Sequence, residues 1–300
     1  MFKEFQVGNG KIIQGDCLEY FTGTPFPEKA DLTFLDPPFN QNKEYNYFDD
    51  NLPKEEYWEM MHKVCESIHK NTSEGGAIYF MQREKNTEFV LQCLRESGWT
   101  LQNLIIWKKK TSAVPSNTKY GIHYQIIAFA TKGSPRVFNR LRISPPLPAN
   151  YKSERENGVY VTDVWDDIRE LTSGYFAGDE AIRKPNGERF HKQQTPIALL
   201  LRIILSSTKP NDVVFDPFAG TGTTLVVAEQ LERKFLGIEI DPENVTCIKK
   251  RLQNIRDADS IEKYYKDFSY TENLNEIWNP KSVLAISTKK KAQALNLFEV

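Results

Sequence analysis

Long apolar runs are missing from this chain of 300 residues. None approaches the roughly 18 consecutive apolar positions of a membrane span, and the stretch 199–205 is broken by Arg202. The opening Met1-Phe-Lys-Glu-Phe5 carries no hydrophobic signal segment, so a cytoplasmic location and no membrane partner are expected. Cysteine is scarce: four residues, at 17, 65, 93 and 247, without a CxxC pair, which indicates neither a disulfide framework nor a zinc or other metal site. None of the four follows a proline. Internal repeats are absent too. The net charge of -1 gives no bulk attraction to a polyanion. With 40% hydrophobic and 26% charged residues and a mean hydropathy of -0.53, the chain suits one large α/β core plus a small insertion.

The charge that is present is unevenly placed. Between Lys132 and Arg155 stand six basic residues (Lys132, Arg136, Arg140, Arg142, Lys152, Arg155) against one acid, Glu154. Such a patch can neutralise phosphates on an otherwise neutral chain; the plainer reading is a solvated loop.

Hydrophobic periodicity predicts strands near residues 11–15, 32–35, 76–80, 101–107 and 124–130, with helices over 17–21, 53–70 and 86–97. From 131 to about 191 the pattern fails, interrupted by Pro135, Pro145, Pro146, Pro148 and Pro185, and an inserted loop-rich segment on the surface of the core is expected. Regular structure resumes at Thr195-Pro196, read as an N-cap followed by Pro at the first helical position, with a helix through 205. A strand at 212–216, a helix over 223–233, a strand at 235–239 and a helix over 242–255 follow. Strands alternating with helices predict an α/β fold with a doubly wound, mostly parallel sheet.

Two stretches carry chemistry. Asp36-Pro37-Pro38-Phe39 ends an apolar strand. Asp36 and the Pro37 carbonyl can each accept a hydrogen bond from an exocyclic amino group, and Phe39 offers a face on which a flat ring stacks. The paired prolines stiffen the backbone, which sets the acceptors in advance of a ligand; the alternative is a stiff turn with a buried Phe. The second stretch, Asp216-Pro-Phe218-Ala219-Gly220-Thr-Gly222-Thr223-Thr224, lies between a strand and a helix. Its glycines let backbone approach a ligand at a helix N-terminus. No G-K-[ST] follows, and the third glycine of a dinucleotide fingerprint is missing. The next strand ends in Gly237-Ile-Glu239-Ile-Asp241; Glu239 is suited to two ribose hydroxyls, and Asp241 to capping the helix that begins at Pro242.

Together these motifs resemble the β-class DNA amino-methyltransferases, which use S-adenosyl-L-methionine. In that family a catalytic D-P-P-[YF] precedes the target-recognition region, and an F-x-G-x-G cofactor loop follows it; here Asp36 to Phe39 precedes Phe218-Ala-Gly-Thr-Gly222. The likeness spans about residues 10–255 and implies a circularly permuted class I methyltransferase fold. It implies a catalytic part of the core over 1–132, a target-recognition insertion over 133–190, a cofactor-binding part over 191–257 and a C-terminal extension over 258–300. It carries further residues with it. Gly15-Asp16-Cys17 matches the turn whose Asp meets the cofactor's adenine, and Asp36, Thr195, Asp216, Phe218, Ala219, Gly220, Gly222, Thr223 and Glu239 join the cofactor set. His191-Lys-Gln-Gln-Thr-Pro196 stands where H-P-T-Q-K-P is usual, with Lys192 in place of Pro and Thr195 in place of Lys. Ile105-Ile-Trp-Lys108 and the strand from His123 resemble the walls of the base pocket. Lys108 and His123 thus join Arg136, Arg140, Arg142 and Lys152 as DNA-contacting residues.

The resemblance implies methyl transfer to a base taken out of duplex DNA, and Asp in the first motif position is similar to N6-adenine enzymes. N4-cytosine transfer is the alternative. C5-cytosine chemistry needs a Cys after Pro, which is missing. Protein and RNA amino-methyltransferases place the cofactor loop first, and a non-catalytic DNA-binding module would not need Asp36 and both glycines. The expected partner is double-stranded DNA, with a second copy in a homodimer as a further candidate. The tail Gln293-Ala-Leu-Asn-Leu-Phe298 resembles a bacterial sliding-clamp-binding peptide, although packing of Leu295, Leu297 and Phe298 on the core is the favoured reading.

Overall fold

The computed structural model describes residues 2–23, 26–43, 45–111, 116–144, 157–171, 178–184, 186–190 and 194–278. Its strands are β1 (Lys3–Val7), β2 (Gly10–Gln14), β3 (Ala30–Leu35), β4 (Thr72–Arg83), β5 (Thr100–Lys108), β6 (Tyr124–Thr131), β7 (Arg142–Ile143), β8 (Val159–Tyr160), β9 (Val164–Trp165), β10 (Val213–Asp216) and β11 (Lys234–Glu239). The helices are α1 (Cys17–Gly23), α2 (Lys54–Lys70), α3 (Thr87–Glu96), α4 (Ile197–Ser207), α5 (Thr223–Gln230), α6 (Pro242–Gln253) and α7 (Leu274–Ile277).

Nine strands form one sheet in the order β1-β2-β11-β10-β3-β4-β6-β5-β9. From β2 through β4 the neighbours are parallel, whereas β1 and β6 run against theirs. Successive residues of a strand point to opposite faces, and in β3 both faces are buried: Leu32 and Phe34 meet one core cluster, Ala30 and Leu35 the other. Helices α1, α2 and α3 cover one face through Tyr20, Tyr57, Met61 and Leu94; α4, α5 and α6 cover the opposite face through Leu200, Ile204, Val226 and Ile248. This is the doubly wound, mostly parallel α/β sheet expected.

Helix α4 is apolar all round because it lies between the sheet and the inserted segment. Its one charge, Arg202, is 3% exposed and is matched by a bidentate pairing with Asp167, while the guanidinium lies 5.0 Å from the Trp165 ring centroid. Such pairing is required, since a buried guanidinium stripped of its carboxylate costs about 3–5 kcal/mol.

Two stretches are more integrated than their irregular sequence suggests. The inserted segment supplies β9, which extends the main sheet beside β5. Residues 261–278 return to the core with Phe268 and Trp278 fully enclosed. Buried Asp259 ties this return to α6 by an ion pair to Arg251 at 2.9 Å and pairs with nearby Arg256 at 2.7 Å. Among the described residues no helix is long and apolar enough to cross a membrane.

Candidate active site

The sheet order explains how motifs about 180 residues apart in sequence meet. Parallel strands β2, β11, β10, β3 and β4 end at one edge, so Asp16, Glu239, Asp216, Asp36 and Arg83 line up along it in that order. The strand order reverses between β10 and β3, the point at which open α/β sheets leave a crevice.

Asp36 stands at this point, and burial pushes its carboxyl up to about 7, with the neighbouring Asp216 charge adding to the rise. Thr195 donates its hydroxyl to Asp36 Oδ2 at 2.9 Å, which favours the ionised form, as do the cations of Lys109 and Lys43. Pro37 and Phe39 are buried. The Tyr57 hydroxyl, projecting from α2, donates to the Pro38 carbonyl at 2.7 Å and itself accepts from Gln82 at 3.0 Å. Among the described residues none donates to the Pro37 carbonyl. Beyond the motif the chain turns through Asn40 and Asn42 at φ 54° and 57°, a left-handed conformation that Asn tolerates. Buried Asp50 gathers the amides of Asn40, Gln41 and Lys43 at 2.7–3.1 Å.

A pocket of about 600 Å³ opens over Asp36, walled by Phe39, Trp107, Lys109, Tyr124 and Thr195 among others. Lys109 lies 3.4 Å from the Trp107 ring centroid and donates to Gln125; burial lowers its ammonium to about 8 against the pull of Glu170 and Asp36. Arg189 also lines the pocket. Its Nη1 donates to the Leu171 carbonyl at 2.7 Å, while Nε and Nη2 are buried with no partner among the described residues.

Next along the edge is the glycine loop. Asp216 accepts from the Phe218 amide at 3.1 Å, and burial raises it to about 6 despite a hydrogen bond from Thr224. The Ala219 amide donates to the Ile238 carbonyl, holding the loop against β11. The two glycines have different reasons. At Gly222, φ is 81° and a Cβ would lie 2.8 Å from Ile248, so close packing on α6 excludes any side chain. At Gly220, φ is 52° but a Cβ would meet only the Phe218 carbonyl at 3.9 Å. That residue faces open space, as backbone beside a ligand should. Thr223 is buried, with Arg251 donating to its hydroxyl at 3.3 Å and to the Thr221 carbonyl at 2.7 Å.

Glu239 accepts from the Gly220 amide at 2.7 Å, the Asp241 amide at 2.8 Å and Asn244 at 3.2 Å; burial lifts its carboxyl to about 7. Asp241 caps α6 through the Glu243 amide at 2.8 Å, as its sequence position suggests. Asp16 Oδ1 caps α1 by accepting from Leu18 at 2.8 Å and Glu19 at 3.1 Å, and Cys17 is buried behind it. The Gly15 amide donates to the Glu239 carbonyl at 3.0 Å, which fixes that turn beside the end of β11.

The start of α4 differs from the expectation. Thr195 is no N-cap: α4 starts at Ile197, whose amide donates to Glu180 at 2.6 Å, and this frees the Thr195 hydroxyl for Asp36. Lys108 is exposed and outside the pocket; alternation along β5 aims Trp107 and Lys109 inward instead. His123 donates Nε2 to the Thr111 carbonyl at 2.7 Å, a loop-fixing bond. Arg136 forms ion pairs with Asp212 at 2.6 Å and Asp31 at 3.2 Å, at the starts of β10 and β3, the edge opposite the site. Arg140 and Arg142 lie over the Tyr160 ring at 5.0 and 4.4 Å. Arg140 and Tyr160 line a second pocket with Ile105 and Phe129, each four residues down its strand from Lys109 or Gln125, or ~13 Å at 3.3 Å per residue. None of these three arginines borders the Asp36 pocket. Lys152, His191, Lys192 and the Gln293 to Phe298 peptide lie outside the described residues. Sequence reading missed Lys109, Tyr57, Asp50, Arg189 and Glu180. The spacing Trp107-Lys-Lys109 held the signal for the first, since period two puts its outer residues on one face.

A protein-family profile described as DNA methylase matches residues 30–250. The DNA adenine methyltransferase YhdJ of Escherichia coli (strain K12) is 32% identical over 262 residues, covering 80% of this chain and 82% of that protein. Among solved structures, the M1.HpyAVI-SAM complex superposes with a TM-score of 0.54 at 25% identity, over 81% of this chain and 98% of that one. The cytosine-N4-specific PvuII DNA methyltransferase gives a TM-score of 0.60 at 20% identity, over 90% of this chain and 94% of its own, a likeness of fold alone.

Proposed function

The chain belongs to the DNA methylase family, and on that premise we propose that it transfers a methyl group from S-adenosyl-L-methionine to the exocyclic N6 of an adenine in DNA. One observation carries this reading: at the reversal point of the sheet, the Asp36 turn combines a hydroxyl-supported carboxylate, a Pro37 carbonyl that accepts from none of the described residues, and an aromatic-walled pocket.

The residues present fit the cofactor. Asp36, Asp216 and Glu239 are carboxylates that burial leaves short of negative charge, and a cationic ligand relieves that cost. Glu239 and Asp16 would hold its hydroxyls and adenine, and the edge from Asp216 through Phe218, Ala219 and Gly220 to Gly222 and Thr223 would lie along it, with Gly220 giving room. Bound there, S-adenosyl-L-methionine supplies an electrophilic methyl group on a sulfonium.

The amino nitrogen of a base is a poor nucleophile because its lone pair is delocalised into the ring. Asp36 and the Pro37 carbonyl, each accepting one of its N–H bonds, favour a more tetrahedral nitrogen and localise that pair. As the nitrogen takes up the methyl group, positive charge would grow on it beside the Asp36 carboxylate, which stabilises it until an N–H proton is lost to water. Such a base must leave the duplex to reach the pocket, and the face of Phe39 replaces stacking that is lost. The two partnerless donors of Arg189 suit a phosphate oxygen of the extruded nucleotide. Residues 133–190 serve as the target reader in this account, and the DNA acts as the substrate of a cytoplasmic enzyme.

Transfer of tritiated methyl to duplex DNA, followed by nucleoside analysis, tests the reading. N6-methyladenine is expected; N4-methylcytosine or an unmodified product would overturn it.

A further inference from the structure

We infer that Tyr120 is the side chain that enters the DNA duplex and fills the space an extruded base leaves, an assignment that rests on the methyl-transfer reading above. Tyr120 is 97% exposed, the most exposed large hydrophobic side chain among the described residues. It stands on the connection between β5 and β6, and the stem of that connection is fixed. The Lys109 amide donates to the His123 carbonyl at 2.8 Å, the His123 ring to the Thr111 carbonyl, and the Lys110 and Thr111 amides to Glu170 at 2.8 and 2.9 Å. Two residues beyond Tyr120, Ile122 lines the Asp36 pocket, and Tyr124 follows it on the same wall. Two residues span at most about 7 Å, so the Tyr120 backbone stays within that distance of a residue lining the pocket.

A tyrosine ring held in water beside a rigid stem gains nothing from the fold. It gains from a stack of bases, where its apolar body replaces the face lost when a base swings out. Its neighbours agree with that surroundings: exposed Lys119 precedes it, and exposed Lys108 and Lys110 flank the stem, cations suited to the phosphates on either side of an opened step. Thus the residues leading into β6 provide the inner wall of the pocket, through Ile122 and Tyr124, and the outer plug of the helix, through Tyr120.

The test uses the full chain and an oligonucleotide duplex bearing the modified site, either fully paired or with an abasic position opposite the target. Because Tyr120 packs on nothing, Tyr120→Ala folds as the parent does. On paired DNA its kcat/KM falls by about tenfold or more, about 1.4 kcal/mol per tenfold, and 2-aminopurine placed at the target brightens less on binding. On the abasic duplex, where extrusion costs less, the variant returns to within about twofold of the parent, and Tyr120→Trp keeps activity on both. Equal activity of Tyr120→Ala and parent on paired DNA overturns the inference. So does a deficit of the same size on both duplexes, which marks Tyr120 as a contact for DNA or for a second copy rather than a plug. Parent protein inactive on both duplexes removes the methyl-transfer reading itself.

Discussion

In the proposed mechanism, Thr195 sets the pH at which Asp36 can accept from the base. Burial raises that carboxyl to about 7, and the Thr195 hydroxyl is the largest influence holding it down. Only the ionised carboxylate accepts from the amino group and balances its growing charge, so kcat/KM rises with pH through about 7. A hydrogen bond to a charged group is worth ~1.5–3 kcal/mol, so Thr195→Val moves the acid limb upward by about one to two pH units while Thr195→Ser leaves it in place. A pH–rate profile in which the valine variant keeps the parent's limb would contradict this role. The same residue marks the limit of sequence reading. Thr before Pro is a good N-cap locally; only the fold brings Glu180 to the helix end and Asp36 to the hydroxyl. Arg136 teaches the same lesson, because its ion pairs with Asp31 and Asp212 join residues 105 and 76 positions away, which no local pattern encodes.

The glycine loop is legible at the scale of an element because its cause is local. A strand ending in Asp216, a turn with two glycines and a helix starting at Thr223 fit one geometry, and so do Asp36 to Phe39 at the end of β3. Sequence does not separate the work of the two glycines, because that depends on what lies opposite. Gly222→Ala drives a methyl into Ile248 at positive φ and destabilises the protein by about 2–4 kcal/mol, read as a lowered urea midpoint. Gly220→Ala meets no clash and costs only about 1–2 kcal/mol, yet its methyl occupies the ligand's space and weakens cofactor binding by about tenfold or more in calorimetry. Similar losses of affinity in both variants at matched stability would refute the distinction.

For the molecule as a whole, the permuted order of motifs has no structural penalty, because the sheet places β10 and β11 between β2 and β3. The active edge carries three carboxylates raised by burial to between about 6 and 7. Unfolded carboxylates titrate near 4, so between about pH 4 and 7 the folded chain holds more protons, and the contribution of these groups to stability falls as pH rises. A cationic cofactor offsets that loss. Its stabilising shift in Tm is therefore larger at pH 8 than at pH 5.5, and Glu239→Gln reduces the difference. Equal shifts at both pH values would show that these groups do not face the ligand. Asp259, lowered by Arg256 and Arg251, acts with the opposite sign: its contribution is lost only as pH falls below the ordinary carboxylate range.

The central claim, that Asp36 acts on the amino group of adenine in DNA, is tested most directly by comparing the parent with Asp36→Ala in labelled methyl transfer, with cofactor binding measured alongside. The account predicts N6-methyladenine from the parent and a loss of about a thousandfold or more in the variant, which still binds cofactor. Transfer by Asp36→Ala at the parental rate, or a parental product other than N6-methyladenine, would contradict it.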